Sequence, residues 1–238
     1  MKILRKIAII FFDIIDLYYH QKKILKFIRN NNINLKYFLD IGAHKGTYTD
    51  LIVKEFNECK VLMFEPQKDI FKAIKKKYQN KKNIKIYDYA ISDKSTVKKI
   101  YINQHDLTSS LSTLDTKNNY LQFKAKLFST TSSGMIVKKV NVKTKKLSQI
   151  LKSKNINGID LVKIDTEGHE FQVLKGMQKY IKKIKYILIE FHNDKIFLSY
   201  NPNKIHKYLI KNNFVLQDIY KFPFTTWEDR FYYNNNFK

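Results

Sequence analysis

A chain of 238 residues can bury a core without disulfide or metal staples and suits one α/β domain with some decoration. Its single cysteine, Cys59, excludes a disulfide framework and a cysteine-built zinc cluster, and fits a reducing, cytoplasmic setting. Against 45 Lys+Arg stand 21 Asp+Glu, a formal net charge of +24, but arginine occurs only at Arg5, Arg29 and Arg230; the excess reads as a solvated lysine surface rather than the arginine-led face of a nucleic-acid reader.

Residues 1–34 read as an N-terminal helical extension. Met1 to Phe12 starts like a secretory leader, but Asp13 and Asp16 interrupt the apolar run and no small-residue cleavage site follows. The run is also too short to span a bilayer. Ile3, Ile7, Ile10, Phe11, Ile14 and Tyr18 share one helical face, expected to pack on the body of the domain. The alternative is peripheral contact with the inner membrane surface, helped by Lys2, Arg5 and Lys6. Helical spacing continues through Ile24, Leu25, Phe27 and Ile28 and ends at Asn30 to Asn32.

From residue 35 to 238 the pattern is a domain of strand, turn and helix in repetition. Tyr37-Phe38-Leu39-Asp40-Ile41 is an apolar run of the kind buried on both faces of a parallel sheet. A helix is predicted over about Thr47 to Phe56, then a second buried run at Val61-Leu62-Met63-Phe64. Ile70, Ile74 and Tyr78 mark a helix, and Ile84, Ile86, Asp88 and Ala90 alternate as a third strand. Between about 94 and 148 the pattern becomes irregular, with β-like stretches at Lys98 to Asn103 and Ile136 to Val142 around a polar segment, as in an insertion or lid. Regular order returns with a strand at Ile159 to Asp165, a helix through Phe171, Leu174 and Met177, a strand at Tyr186 to Phe191 and a helix at Asn203 to Lys211. Phe214 to Tyr220 and Arg230 to Tyr233 are expected to close the sheet as an antiparallel pair. Such alternation predicts an α/β fold with a doubly wound, mostly parallel sheet and its site at the C-terminal strand ends.

The first of those ends reads Asp40-Ile41-Gly42-Ala43-His44-Lys45-Gly46. Gly42 permits a tight turn and close approach of a ligand; Gly46 lets the helix start near the strand. Glu65, followed by Pro66, ends the second strand, where an acid can take both ribose hydroxyls of a nucleoside. A dinucleotide site would need Gly at position 44 and a backbone cradle for an anionic pyrophosphate. Asp40 before the turn opposes pyrophosphate and suits the ammonium and sulfonium charges of S-adenosylmethionine (SAM). Asp88 at the third strand end is a candidate acceptor for the adenine amino group.

The succession Asp40 to Gly46, Phe64-Glu65-Pro66, Ala90-Ile91-Ser92-Asp93, Asp160 to Glu170 and Ile189-Glu190 resembles the FkbM family of SAM-dependent methyltransferases. The likeness runs from about Tyr37 to His192 and is most specific at Lys163-Ile164-Asp165-Thr166-Glu167-Gly168. It implies a Rossmann-like class I methyltransferase with a seven-stranded sheet and SAM as cofactor. It also implies O-methylation, often of sugars in cell-surface glycans or of secondary metabolites. By position, Asp40, Gly42, Glu65 and Ala90 would line the SAM site. Family members often carry Asn where His44 stands.

Methyl transfer needs an acceptor held in line with the sulfonium carbon and a group to take the hydroxyl proton. Lys163 and Asp165 share a strand face; Glu167 and His169 follow in the turn, and Glu190 and His192 end the next strand. Asp165 and Glu167 are the candidates for direct chemistry, with His192 as a candidate base. Lys163 with Asp165 can equally be a buried ion pair that fixes the strand. His169, in the first turn of a helix, is expected at the surface. The same residue types suit a divalent metal, though no ligand set is assigned. Thr108-Ser109-Ser110-Leu111 is expected as a solvated loop, with a polyol acceptor as the alternative. The expected acceptor is a sugar or glycan in cell-surface polysaccharide or lipid-linked saccharide biosynthesis. The rivals are an RNA methyltransferase acting on ribose or tRNA, and a non-catalytic scaffold on the SAM fold. No Pro-Pro tetrad for base amino groups is present, and Cys59 sits at the wrong strand end for attack on a base. Hydrolase motifs are absent from the sequence.

Overall fold

The computed structural model describes residues 20–103, 109–127, 131, 134, 136–223 and 225–237. The helical face at Ile3 to Tyr18 and residue Thr108 lie outside the described residues. Strand β1 (Tyr37–Ile41) pairs in parallel with β2 (Lys60–Phe64) on one side and β7 (Ile159–Ile164) on the other. Beyond β2 lies β3 (Ile84–Tyr87), and beyond β7 lies β8 (Ile184–His192), both parallel. β10 (Trp227–Asn234) runs antiparallel between β8 and β9 (Phe214–Lys221). The order β3-β2-β1-β7-β8-β10-β9 makes a seven-stranded sheet with one reversed strand.

Side chains alternate across this sheet with the period of a strand. Leu39, Leu62, Val162 and Ile187 face one layer, while Phe38, Val61, Leu161 and Leu188 face the other. The second layer is α1 (Lys22–Asn30), α2 (Thr47–Glu55) and α3 (Lys68–Lys77), through Ile24, Ile28, Ile52 and Ile74. The first layer is α5 (Leu147–Ser153), α6 (Glu170–Met177) and α7 (Pro202–Lys211), through Leu151, Leu174 and Leu209. An additional helix, α4 (Asn119–Leu127), packs Leu121 against Ile196 and Phe197. Each fully buried aliphatic or aromatic side chain contributes about 1.5–3 kcal/mol. Among the described residues, no helix is long and apolar enough to cross a membrane.

The third strand departs from its sequence pattern. Alternation predicts one strand through Ala90, but β3 stops at Tyr87. Ala90 and Ile91 form a separate short strand, β4, paired with Thr144 and Lys145 of β6 (Ile136–Lys145). β6 also pairs antiparallel with β5 (Thr96–Asn103), so the irregular region holds a three-stranded sheet beside the large one.

Candidate active site

Strand order reverses between β1 and β7. In doubly wound sheets the crevice at that reversal receives the ligand. Here a cleft open to solvent lies over the C-terminal ends of β1, β2 and β7. Backbone bonds latch its floor. The amides of Gly42 and Ala43 donate to the Phe64 carbonyl at 3.1 and 3.2 Å, and the Asp165 amide donates to the Ile41 carbonyl at 3.0 Å. Gly42 has φ +81°, and a Cβ there would stand 1.7 Å from the Asp165 carbonyl oxygen. No larger residue fits between the two strand ends. His44 follows at φ +44°, a left-handed conformation that Asn adopts more readily. Gly46, at φ +74°, caps α2 where a Cβ would meet the Tyr78 hydroxyl.

Glu65 leaves β2 and turns its carboxylate into this loop. Oε2 accepts from the His44 amide at 3.0 Å and Oε1 from the Gln67 amide at 2.8 Å. Burial pushes its carboxyl up to about 7, against those two bonds. Each oxygen keeps a lone pair for the cleft. Asp40 does not line the cleft. It lies buried beneath, where Thr49 Oγ1 donates to Oδ2 at 2.7 Å and Oδ1 has no hydrogen-bond partner. Burial raises its pKa, outweighing the nearby Lys163 and the Thr49 bond.

Lys163 rises from β7 between two carboxylates. Its Nζ donates to Asp165 Oδ2 at 2.8 Å, stands 4.0 Å from Asp40 Oδ1 and lies over the Tyr48 ring at 4.5 Å. Burial disfavours the ammonium, but Asp165 and Asp40 outweigh it and hold its pKa above the ordinary lysine value. Asp165 itself faces the cleft. The loop after it is tied to one buried acid: Glu170 Oε1 accepts from the Thr166 amide, the Thr166 hydroxyl and the Gly168 amide, all at 3.0 Å. Burial raises the Glu170 pKa against these bonds. Glu167 stands at φ +52° on that loop, at the cleft surface. Behind it, His192 Nε2 lies 3.8 Å from Glu167 Oε2 and 3.0 Å from Glu190 Oε2. Burial, with Asp165, Asp229 and Glu170 nearby, pushes the Glu190 carboxyl well above the usual carboxylate range.

Of the residues read from the sequence, Gly42, Ala43, His44, Glu65, Pro66 and Ala90 line the cleft on the β1–β2 side. Lys163, Asp165 and Glu167 line it on the β7 side. Gly46 shapes it from behind, and Glu190 and His192 back Glu167. Asp88 is exposed and outside the cleft, because the chain leaves the main sheet at Tyr87. The surface position expected for His169 is also overturned. It is buried, 2.9 Å from Ser92 Oγ, and burial with Lys98 lowers its pKa to about 3, so the ring is neutral. Nor are Ser109 to Leu111 a solvated loop. Ser109 and Leu111 line the cleft, and the buried Ser110 donates to the Glu167 carbonyl.

Several lining residues escaped the sequence reading: Gln21, Tyr48, Gln67 and Ile100. Tyr48 donates to Asp229 Oδ2 at 2.7 Å, and His20 Nε2 lies 3.0 Å from the same oxygen. Burial works to raise the Asp229 pKa, but His20, Lys163 and Tyr48 hold it below the ordinary value. An acid amid the aromatic strand Trp227–Tyr233 is the available signal; its partners are remote in sequence. The outcome is a polarity inversion. On a chain of charge +24, Glu65, Asp165 and Glu167 line the cleft against one lysine ammonium, Lys163, among the described residues. Apolar Phe64, Ile91 and Ile100 supply a surface for a flat ring. These residues fit an adenosyl ligand bearing a sulfonium.

Six strands in one direction, one reversed, and a cleft at the β1/β7 reversal define a class I methyltransferase fold. The match to the methyltransferase FkbM domain covers residues 40–216, and the chain belongs to that family of SAM-dependent enzymes. It is 23% identical over 153 residues to the hexuronic acid methyltransferase AglP of Haloferax volcanii, covering 64% of this chain and 54% of AglP. The chain thus spans about half the length of that curated relative. Among solved structures, TrmK of M. capricolum, bound to S-adenosylhomocysteine, is similar with a TM-score of 0.50 at 10% identity, over 91% of this chain and 68% of TrmK. The magnesium protoporphyrin IX methyltransferase ChlM of Synechocystis PCC 6803 gives 0.49 at 10% identity, over 91% of this chain and 80% of ChlM.

Proposed function

We propose that this enzyme methylates a hydroxyl of a saccharide acceptor, with Glu65 holding the cofactor ribose and Asp165 receiving the acceptor proton. The observation that carries this is the pair of carboxylates at the switch point, one per strand end: Glu65 fixed by backbone amides, Asp165 fixed by Lys163. The likeness to a hexuronic acid methyltransferase supports a glycan-type acceptor. Bound SAM supplies an electrophilic methyl carbon on a sulfonium. Glu65 accepts from the ribose hydroxyls, and Phe64, Ile91 and Ile100 cover the base. Lys163 keeps the Asp165 carboxylate in one orientation. Asp165 takes the hydroxyl proton as the acceptor oxygen becomes acidic in the transition state, so a carboxylate is a sufficient base. Glu170 holds the Thr166–Gly168 loop in place. Asp40, beneath the floor, contributes negative potential that favours a cation above it.

Transfer from radiolabelled SAM into separated glycan, lipid and RNA fractions tests the acceptor. Label is expected in glycan or lipid-linked saccharide, surviving as a methyl ether after hydrolysis to monosaccharides. Label confined to RNA would replace this acceptor with the ribose or tRNA alternative. The acidic lining already disfavours a polyphosphate backbone at the reacting edge.

A further inference from the structure

We propose that Glu167, Glu190 and His192 form a site for one divalent cation on the acceptor side of the cleft, where it would hold two neighbouring oxygens of the acceptor. The proposal rests on the methyl-transfer reading for its role, but the site itself rests on geometry. Glu190 and His192 are two apart on β8 and share a face; Glu167 reaches them from the loop after β7. One ligand atom from each lies within 4.8 Å of the others, with His192 Nε2 at 3.0 Å from Glu190 Oε2 and 3.8 Å from Glu167 Oε2. Metal bonds of about 2.0–2.2 Å to nitrogen and carboxylate oxygen place neighbouring ligands roughly 3–4 Å apart.

A simple His–Glu ion pair does not explain the arrangement. Glu190 Oε2 and His192 Nε2 are shielded from solvent, yet neither makes a hydrogen bond: they are close without the alignment of one. Such buried polar atoms are costly unless something satisfies them. The second oxygen of Glu170, also buried, is likewise unpartnered. Acidic side chains therefore outnumber basic ones at this wall, and a bound dication would satisfy the unpartnered oxygens and favour their ionised forms. The ligands are also held in advance. The His192 ring is edge-on to Phe197 and Tyr200, with centroids 5.0 and 5.4 Å away, and its amide donates to the Tyr200 hydroxyl at 3.0 Å. Ser110 and Ser112 donate to the carbonyls of Glu167 and Gly168 and fix the loop. Two carboxylates and one imidazole suit a cation such as Mn2+ and leave positions open. Glu167 is the ligand at the cleft surface, with Glu190 and His192 behind it, so an acceptor would reach the cation from the Glu167 side. Adjacent hydroxyls of a sugar match them, and a cation would both orient and acidify the oxygen it holds.

Mn2+ titration of the full-length, chelator-treated chain, followed by calorimetry and by the electron paramagnetic resonance of free Mn2+, tests the site. One Mn2+ per chain is expected, with affinity lowered at least tenfold in Glu167→Gln and in His192→Gln. Glu167→Gln lies on the loop and keeps the test decisive if His192→Gln does not fold. A wild-type chain that binds SAM but none of Mn2+, Mg2+ or Zn2+ would overturn the site, as would Mn2+ affinity unchanged in both variants. Failure of the wild type to bind SAM would count against the methyl-transfer reading instead, and the Mn2+ titration would still decide the site.

Discussion

Asp165→Asn is expected to lower turnover by about a hundredfold to ten-thousandfold while SAM affinity stays within about threefold of wild type. Asparagine keeps the size of the side chain and can still accept from Lys163. It removes the basic oxygen that faces the cleft. Because Asp165 is placed at the acceptor and not at the ribose, the loss should fall on the chemical step. Single-turnover transfer to the saccharide fraction, beside calorimetric titration of SAM, separates the two. Equal losses in turnover and SAM affinity would make Asp165 a cofactor ligand and remove it as the base.

Glu65→Ala is expected to weaken SAM binding more than tenfold. Hydrogen bonds to a charged group are each worth about 1.5–3 kcal/mol, and alanine removes the ribose acceptors together with the anchor of the His44 and Gln67 amides. Glu65→Gln separates charge from shape, and pH provides the second axis. In the open cleft the Glu65 carboxyl titrates at about 7 because it is buried. It is ionised above that pH and protonated below it. If ribose binding uses the ionised form, SAM affinity should be full above about pH 8, fall as pH drops through 7 and decline up to tenfold per unit below. Binding near pH 7 should then release a proton, visible as a buffer-dependent calorimetric enthalpy. Glu65→Gln should bind more weakly and show no such dependence. A wild-type affinity that stays flat between about pH 6 and 8 would detach the ribose from this carboxylate.

Much of this architecture is readable in the chain because β1, β2, β7 and β8 are apolar on both faces, and such runs have few alternatives to the middle of a parallel sheet. Gly42 was legible for a related reason: a glycine directly after a buried strand marks a backbone that must turn tightly. The end of β3 was not. Ile84, Ile86, Asp88 and Ala90 keep perfect alternation across the point where the chain passes from one sheet to another, and no Gly or Pro marks the exit. That concealed break is why Asp88 looked like an adenine ligand. His169 was misplaced for a different reason. The start of a helix is commonly exposed, but here Gly176 lets the last turn of α6 approach the Ser92 carbonyl, and His169 is buried against Ser92. The His20–Asp229 contact joins residues 209 apart, a distance over which local pattern carries no information. Glu170 stood within the quoted motif, yet its three bonds to the loop before it emerge only when the chain folds back on itself.

On the proposed reading, Glu65 holds the ribose of an adenosyl ligand at the β1–β2 edge of the cleft. A crystal structure of the chain with S-adenosylhomocysteine decides this. The ribose hydroxyls should lie within hydrogen-bond distance of the Glu65 carboxylate, the base against Phe64 and Ile91, and the sulfur toward Asp165. A bound nucleoside anywhere else, with Glu65 out of reach of its ribose, would contradict it.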